Sequence, residues 1–423
     1  MVNSELYISA RERFIERLPD NTAAFIFSGE SRPMSQDDDY PFLVDRNFFY
    51  LTGLDIPGLT LRIVKRDGKA ETKLYAFVHN DYEERWHGKR PGFDELSDIC
   101  GIDESDIDDQ ERYEEQAYPV VKDAALKVAY DGSSIMKAVK RFRNNAAKFR
   151  AADDIIDIKD IFLKLRIVKS AMEADLISYA AQITEEAIMA MKEDIRPGVT
   201  EYDLHTRLEY EMKKRGSEIF AFATIVSSGR NAFYLHHGIP ERTGDGIIRD
   251  GSFIQIDVGA RYKGYCADIS RVFFVGYGDE EDDKRIVLLD LIRELRKTCK
   301  EVIKTGMTFN NLNKIMHEKT FEFLKDRGLA GEDDESSVAA HKYYWHNTSH
   351  HLGLDVHDLG NSLPQDYRDM PFKPGFCLAV EPGVYIPEWG VGFRIEDDIM
   401  ITEDGNRLLS SWNRDDIPEV IFC

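Results

Sequence analysis

Residues 253–275 read FIQIDVGARYKGYCADISRVFFV. Two β-patterned runs flank RYKGY, with Gly264 where a hairpin turn needs a permissive residue. Asp257 and Asp268 each interrupt an apolar strand. A two-residue loop at Lys263 and Gly264 sets Asp257 opposite Ser270 and makes Asp268 its same-face diagonal neighbour. A three-residue loop without a bulge puts the two acids on opposite faces. Two carboxylates on one face of an apolar hairpin repel each other and lose their hydration, so they need a cation or a shared proton. Taken alone, the pair reads more simply as turn-flanking aspartates.

The rest of the chain changes that balance. HNTSHHLGLDVHD, residues 346–358, holds four of the chain's 11 histidines. Glu381 follows the apolar run CLAV and precedes Pro-Gly, and Glu396 sits inside the strand pattern GVGFRIEDDIMIT. One buried acid could pair with Arg394. Four such acids beside a histidine cluster point instead to a hard divalent metal. Carboxylates with one imidazole favour Mn²⁺ or a similar ion, whereas structural zinc prefers thiolates. Bridging carboxylates hold two ions about 3.5–4 Å apart, the spacing used for metal-activated hydrolysis.

Composition sets the wider frame. The chain has 423 residues, 43% of them hydrophobic, enough for a buried core and long enough for two domains. A formal charge of −22 argues against nucleic acid and anionic membrane as partners. The five cysteines form no CxxC pair, so neither a zinc ribbon nor a disulfide framework is indicated and a reduced cytoplasm is expected. The opening MVNSELYISARERFIERL reads as an amphipathic helix rather than a signal peptide.

The first third alternates helical and strand patterns, with TAAFIFSG, NFFYLTGL, TLRIVKRD, TKLYAFVHN and KVAYDG read as strands of one α/β domain. Ser170, with Glu173 three residues on, predicts the capped start of a long helix, and Thr200 the start of the next. The boundary falls between Asp157 and Ser170, giving domains 1–160 and 161–423.

IDVGARYKGYCADISR, SHHLGLDVHD, VEPGVYI and RIEDDI resemble, in order, the metal-ligand segments of the aminopeptidase P group of the pita-bread metallopeptidases. Relatives of that group include prolidase, methionine aminopeptidase and creatinase. YPFLVDRNFFYLTG and RWHGKRPG resemble its amino-terminal domain more than that of prolidase, so the likeness spans nearly the whole chain. The resemblance implies an α/β (α+β) fold, with an N-terminal α/β domain and a C-terminal pita-bread catalytic domain of pseudo-twofold αββ halves.

By position it implies that Asp257 chelates one manganese, that His350 and Glu381 bind the other, and that Asp268 and Glu396 bridge both. That makes two Mn²⁺ per subunit, with Co²⁺ or Zn²⁺ as substitutes. Glu381 becomes the general base, His236 and His357 the hydrogen-bond donors, and Arg394 joins the catalytic group. Trp86, His346 and Tyr385 are the implied substrate contacts, His346 being equally well a structural histidine. The stretch from His236 to Asp257 is longer than usual in the family, which leaves His237 open as the carbonyl-steadying residue. His351 is expected to be packing. Asn347 stands where a small residue is usual and Ser270 replaces a threonine; neither change removes a ligand. The implied reaction is hydrolysis of the first peptide bond of peptides with proline in second place. A Trp86 segment that walls the catalytic site of a neighbouring subunit implies a homo-oligomer. Prolidase is the alternative within the class, and a metal-free pita-bread binding module the alternative outside it.

Overall fold

The computed structural model describes residues 4–276, 283–331 and 334–410. Two compact units divide the chain, Met1–Arg166 and Ile167–Cys423.

The first unit is built on six strands, β1 (Thr22–Phe27), β2 (Thr60–Arg66), β3 (Lys69–Ala76), β4 (Ile107–Asp109), β5 (Lys127–Tyr130) and β6 (Ile155–Asp157). They lie in the order β4-β3-β2-β1-β5-β6. The chain enters through a helix, Glu5–Arg17, whose Tyr7, Ala10 and Phe14 are buried. NFFYLTGL, expected to be a strand, is a helix, Arg46–Thr52. Phe48, Phe49, Tyr50 and Leu51 are all buried there, so the run is apolar on every side and carries no helical period. Its ends hold the real signal: the Asp45 side chain accepts from the Asn47 and Phe48 N–H groups, and Gly53 closes the helix at φ 71°.

The second unit repeats one plan. Helices Ala171–Lys192 and Glu201–Lys214 precede β7 (Ile225–Ser228), β8 (Phe253–Val258), the short pair β9 (Arg261–Tyr262) and β10 (Tyr265–Cys266), and β11 (Ile269–Phe274). Helices Lys284–Val302 and Phe309–Asp326 then precede β12 (Ser349–His351), β13 (Cys377–Val380), β14 (Gly383–Ile386), β15 (Val391–Arg394), β16 (Asp397–Ile401) and β17 (Asn406–Leu408). The sheets run β11-β8-β7 in the first half and β12-β13-β16-β17 in the second, beside a β14-β15 hairpin. Both expected caps are present: the Ser170 and Thr200 side chains accept from the N–H groups of Glu173 and Asp203.

Strand alternation places the acids. Ile254, Ile256 and Val258 join Ala180, Ile188, Leu204 and Leu208 of the first two helices in one core. Side chains two apart share a face, so Asp257 points the other way. Among the described residues no helix is long and apolar enough to cross a membrane. Cys100, Cys266, Cys299 and Cys377 are buried thiols outside any disulfide; Cys423 lies outside the described residues.

Candidate metal centre and active site

The hairpin turns on two residues. Lys263 and Gly264 take φ of 47° and 82°, the left-handed pair that a two-residue turn requires. Asp257 therefore pairs with Ser270, and the Ala267 N–H still reaches the Ala260 carbonyl at 3.0 Å near the tip. Asp268 becomes the diagonal neighbour of Asp257. Gly259 is needed between them, because a Cβ there would stand 1.9 Å from the Ala267 carbonyl oxygen.

The second half supplies the facing groups. On β12, His350 pairs with Ala379, and its Nδ1 donates to the His351 carbonyl at 3.1 Å. That bond directs Nε2 at the acids, 3.3 Å from Asp268, 3.8 Å from Glu396 and 3.9 Å from Glu381. Glu396 stands between β15 and β16, where Ser270 Oγ donates to its Oε2 at 3.0 Å. Fully buried Arg271 holds the Glu396 carbonyl and Asp397 together, and Arg296 grips Asp397 from the other side.

Asp268, His350 and Glu396 each offer a ligand atom within 4.8 Å of the others. Burial pushes the Asp268 carboxyl well above the usual carboxylate range, with the charges of Asp257, Asp398 and Glu381 adding to it. Burial, then Asp268, does the same to Glu396. Asp257 Oδ1, Asp268 Oδ1 and Glu396 Oε1 are buried with no hydrogen-bond partner among the described residues. Acceptor oxygens left bare in a dry, repelling cluster fit a divalent cation.

Asp257 and Glu381 lie outside that trio. Asp257 is joined to Arg394. Burial opposes the Arg394 charge, but Asp257, Tyr385 and Glu381 outweigh it and raise the guanidinium pKa. Glu381 follows β13, and its Oε2 lies 3.4 Å from His346 Nδ1. All five acidic and imidazole ligands expected from the sequence line one cavity of about 630 Å³, with His236, His346, His357 and Arg394. His357 stacks edge-on to His350 at 4.3 Å between ring centres, and desolvation, then His350, lowers its pKa.

Three expectations take a sharper form. Of the adjacent histidines, His236 lines the cavity while His237 Nε2 sits 3.0 Å from buried Glu201. His351 packs edge-on against Phe309 and Phe376, and burial takes its pKa to about 3. Tyr385, expected at the substrate, is fully buried; its hydroxyl meets His346 Nε2 at 3.1 Å and Arg394 at 3.2 Å. Trp86 belongs to the first unit, on helix Asp81–His87, where it is 71% exposed and no residue is buried.

The sequence reading passed over Asp398, fully buried, whose Oδ2 accepts the Asp268 N–H at 3.1 Å. The triple EDD was its only signal. Lys169 and Glu201 were also passed over, each a charged residue that the fold buries completely or nearly so.

The sequence profile described as "Metallopeptidase family M24" matches residues 175–403, which include every residue of the trio. The chain belongs to metallopeptidase family M24. A second profile, "Aminopeptidase P, N-terminal domain", matches residues 7–122 ahead of the M24 segment. Among curated M24 relatives, the chain is 32% identical to the Xaa-Pro aminopeptidase of Escherichia coli, over 95% of this chain and 93% of that one. It is also 32% identical to the Xaa-Pro dipeptidase of Pyrococcus furiosus, over 71% of this chain and 78% of that one. A zinc-substituted Escherichia coli aminopeptidase P, solved in complex with product, superposes with a TM-score of 0.86 at 29% identity. That match covers 97% of this chain and 95% of the other. Family and donor set together make this M24 chain a divalent-metal peptidase.

Proposed function

We propose that this chain is a Xaa-Pro aminopeptidase, releasing the first residue from peptides with proline in second place. The observation that carries the reading is the nest of Asp268, His350 and Glu396 with bare, buried carboxylate oxygens. The likeness to the Escherichia coli Xaa-Pro aminopeptidase, over 95% of this chain, supports the substrate class.

We assign Asp257, Asp268, His350, Glu381 and Glu396 as the residues that would hold two Mn²⁺ ions. When bound, the ions supply a nucleophilic water at neutral pH and polarise the scissile carbonyl. Glu381, open to the cavity beside His346, takes the proton from the attacking water and delivers it to the leaving nitrogen. His236 and His357 donate hydrogen bonds to the substrate oxygen as it gains charge. Arg394 fixes the Asp257 side chain at the site through a direct ion pair. His346 lines the substrate cavity and meets the Tyr385 hydroxyl, which in turn accepts from Arg394. The leaving group is an imide nitrogen with no N–H and a fixed ring, so a cavity shaped to it rejects ordinary peptide bonds.

Trp86 serves as an aromatic wall for the substrate, in a homo-oligomer where subunits complete one another's sites. Its 71% exposure on a polar helix supports that role, since a core indole would be enclosed. A cytoplasmic setting accords with four buried cysteines outside any disulfide.

The dipeptidase reading has the Pyrococcus relative behind it, which matches less of the chain. Product analysis separates the two. With Xaa-Pro-Yaa and Xaa-Pro supplied in parallel, the proposal expects the tripeptide to yield free Xaa and Pro-Yaa. Cleavage of the dipeptide alone would make the enzyme a dipeptidase.

A further inference from the structure

His236 reaches the cavity from the long connection between β7 and β8, at a point with little apolar anchoring close by. Tyr234 and Ile239, on either side of His236, are 67% and 84% exposed. Ala232 and Ile248 are buried farther along the connection, but the residues immediately flanking His236 have little burial of their own to fix them. One carboxylate does much of that work instead.

Glu201 is the first residue of helix Glu201–Lys214 and is completely buried. Its Oε1 accepts the Ser228 N–H at 2.6 Å and the Asn231 side-chain amide at 3.0 Å. Its Oε2 accepts the Glu241 N–H at 3.1 Å and faces His237 Nε2 at 3.0 Å. A carboxylate offers about four lone-pair sites, and here all four meet donors from residues 228–241. An acceptor-only partner also requires the proton of His237 to sit on Nε2. Among the described residues His237 is its one ion-pair partner. The ties fall on both sides of His236, and Arg394 adds another at the Leu235 carbonyl.

We propose that Glu201 is a positioning residue for the reaction, holding His236 at the cavity through His237 and the backbone around it. The proposal rests on the reading of His236 as a substrate-facing donor. Glutamine at position 201 turns an amide N–H toward a ring of donors, so at least one loop bond must break. A donor displaced by about 1 Å can lose up to 10²-fold in rate.

The test is steady-state kinetics on a Xaa-Pro-Yaa peptide with the metal-loaded full chain. Glu201→Gln should lower kcat roughly ten-fold to 10²-fold, leaving KM and bound metal close to wild type. His237→Phe, which removes one of the four ties, should lower kcat less, and decides the matter should Glu201→Gln fail to fold. His236→Ala should lower kcat by itself, and adding Glu201→Gln to it should cost nothing more. Wild-type kcat in both Glu201→Gln and His237→Phe, or additive losses in the double variant, would overturn the proposal. Wild-type kcat in His236→Ala would instead refute the role given to His236, and the proposal with it.

Discussion

Lys169 and Asp358 form an ion pair with Nζ and Oδ2 2.9 Å apart, each side chain 1% exposed. Asp358 directly follows His357, and its N–H donates to the His351 carbonyl at 2.9 Å. The pair thus pins the turn that presents His350 and His357 to the cavity. The packing around it is tight: a Cβ on Gly353 would meet Asp358 at 2.5 Å and the Lys169 side chain at 2.9 Å. Lys169→Met keeps most of the volume but leaves the Asp358 carboxylate in a dry site facing a thioether. Removing one partner of a buried pair costs about 3–5 kcal/mol, against about 0–1 kcal/mol for a surface pair. For a domain of this size that is a fall in Tm of roughly 6–20 °C. Replacing both partners, Lys169→Met with Asp358→Leu, should recover most of the loss, because the penalty lies in the uncompensated charge. Thermal melts of the metal-loaded variants by circular dichroism measure both effects. A single variant that melts with wild type, or a double variant as unstable as the single, would refute the reasoning.

Other expectations follow from the same site. In metal-free protein the Asp268 and Glu396 carboxyls stay protonated to higher pH than in the unfolded chain. Their contribution is complete below the usual carboxylate pKa and is lost as pH rises through the raised values, by about 1.4 kcal/mol per pH unit for each extra proton held. Metal-free Asp268→Asn should therefore match wild type in acid and exceed its stability toward neutral pH; an advantage that is flat with pH would contradict this. Asp268→Ala should lose metal by elemental analysis, whereas His357→Ala should keep it and lose about 10²–10³ in kcat. The reverse order would invert their roles. Trp86→Ala should raise KM for Xaa-Pro peptides with metal content and melting unchanged; wild-type kinetics in that folded variant would remove the aromatic wall.

How far the sequence could be read depended on where each signal was local. The Asp257–Asp268 pair was legible in part: strand alternation is local, but the loop length that sets their shared face stayed open until Lys263 and Gly264 were seen to form a two-residue turn. Arg46–Thr52 was misread as a strand because a helix buried on all sides has no period, leaving only Asp45 and Gly53 to mark it. The choice between His236 and His237 stayed open in sequence because it depends on Glu201, some 36 residues away, drawing one ring inward. Lys169 and Asp358 are separated by 189 positions, and nothing local marks either as buried. Tyr385 sits in a motif beside a ligand, yet β14 is buried along its whole length and encloses the ring with it. Motifs gave the groups that face the cavity; long-range contacts gave the groups that hold them there.

The central claim is that the site built on Asp268, His350 and Glu396 cleaves the bond before proline when divalent metal is bound. The direct measurement is release of the first residue from a Xaa-Pro-Yaa peptide by exhaustively chelated enzyme, followed as Mn²⁺ is added back. The account predicts no hydrolysis without metal, and activity that rises with Mn²⁺ to a plateau at two ions per chain, with Xaa and Pro-Yaa as the products. Full hydrolysis by the chelated enzyme would contradict it, as would an Mn²⁺-loaded enzyme that leaves the tripeptide intact.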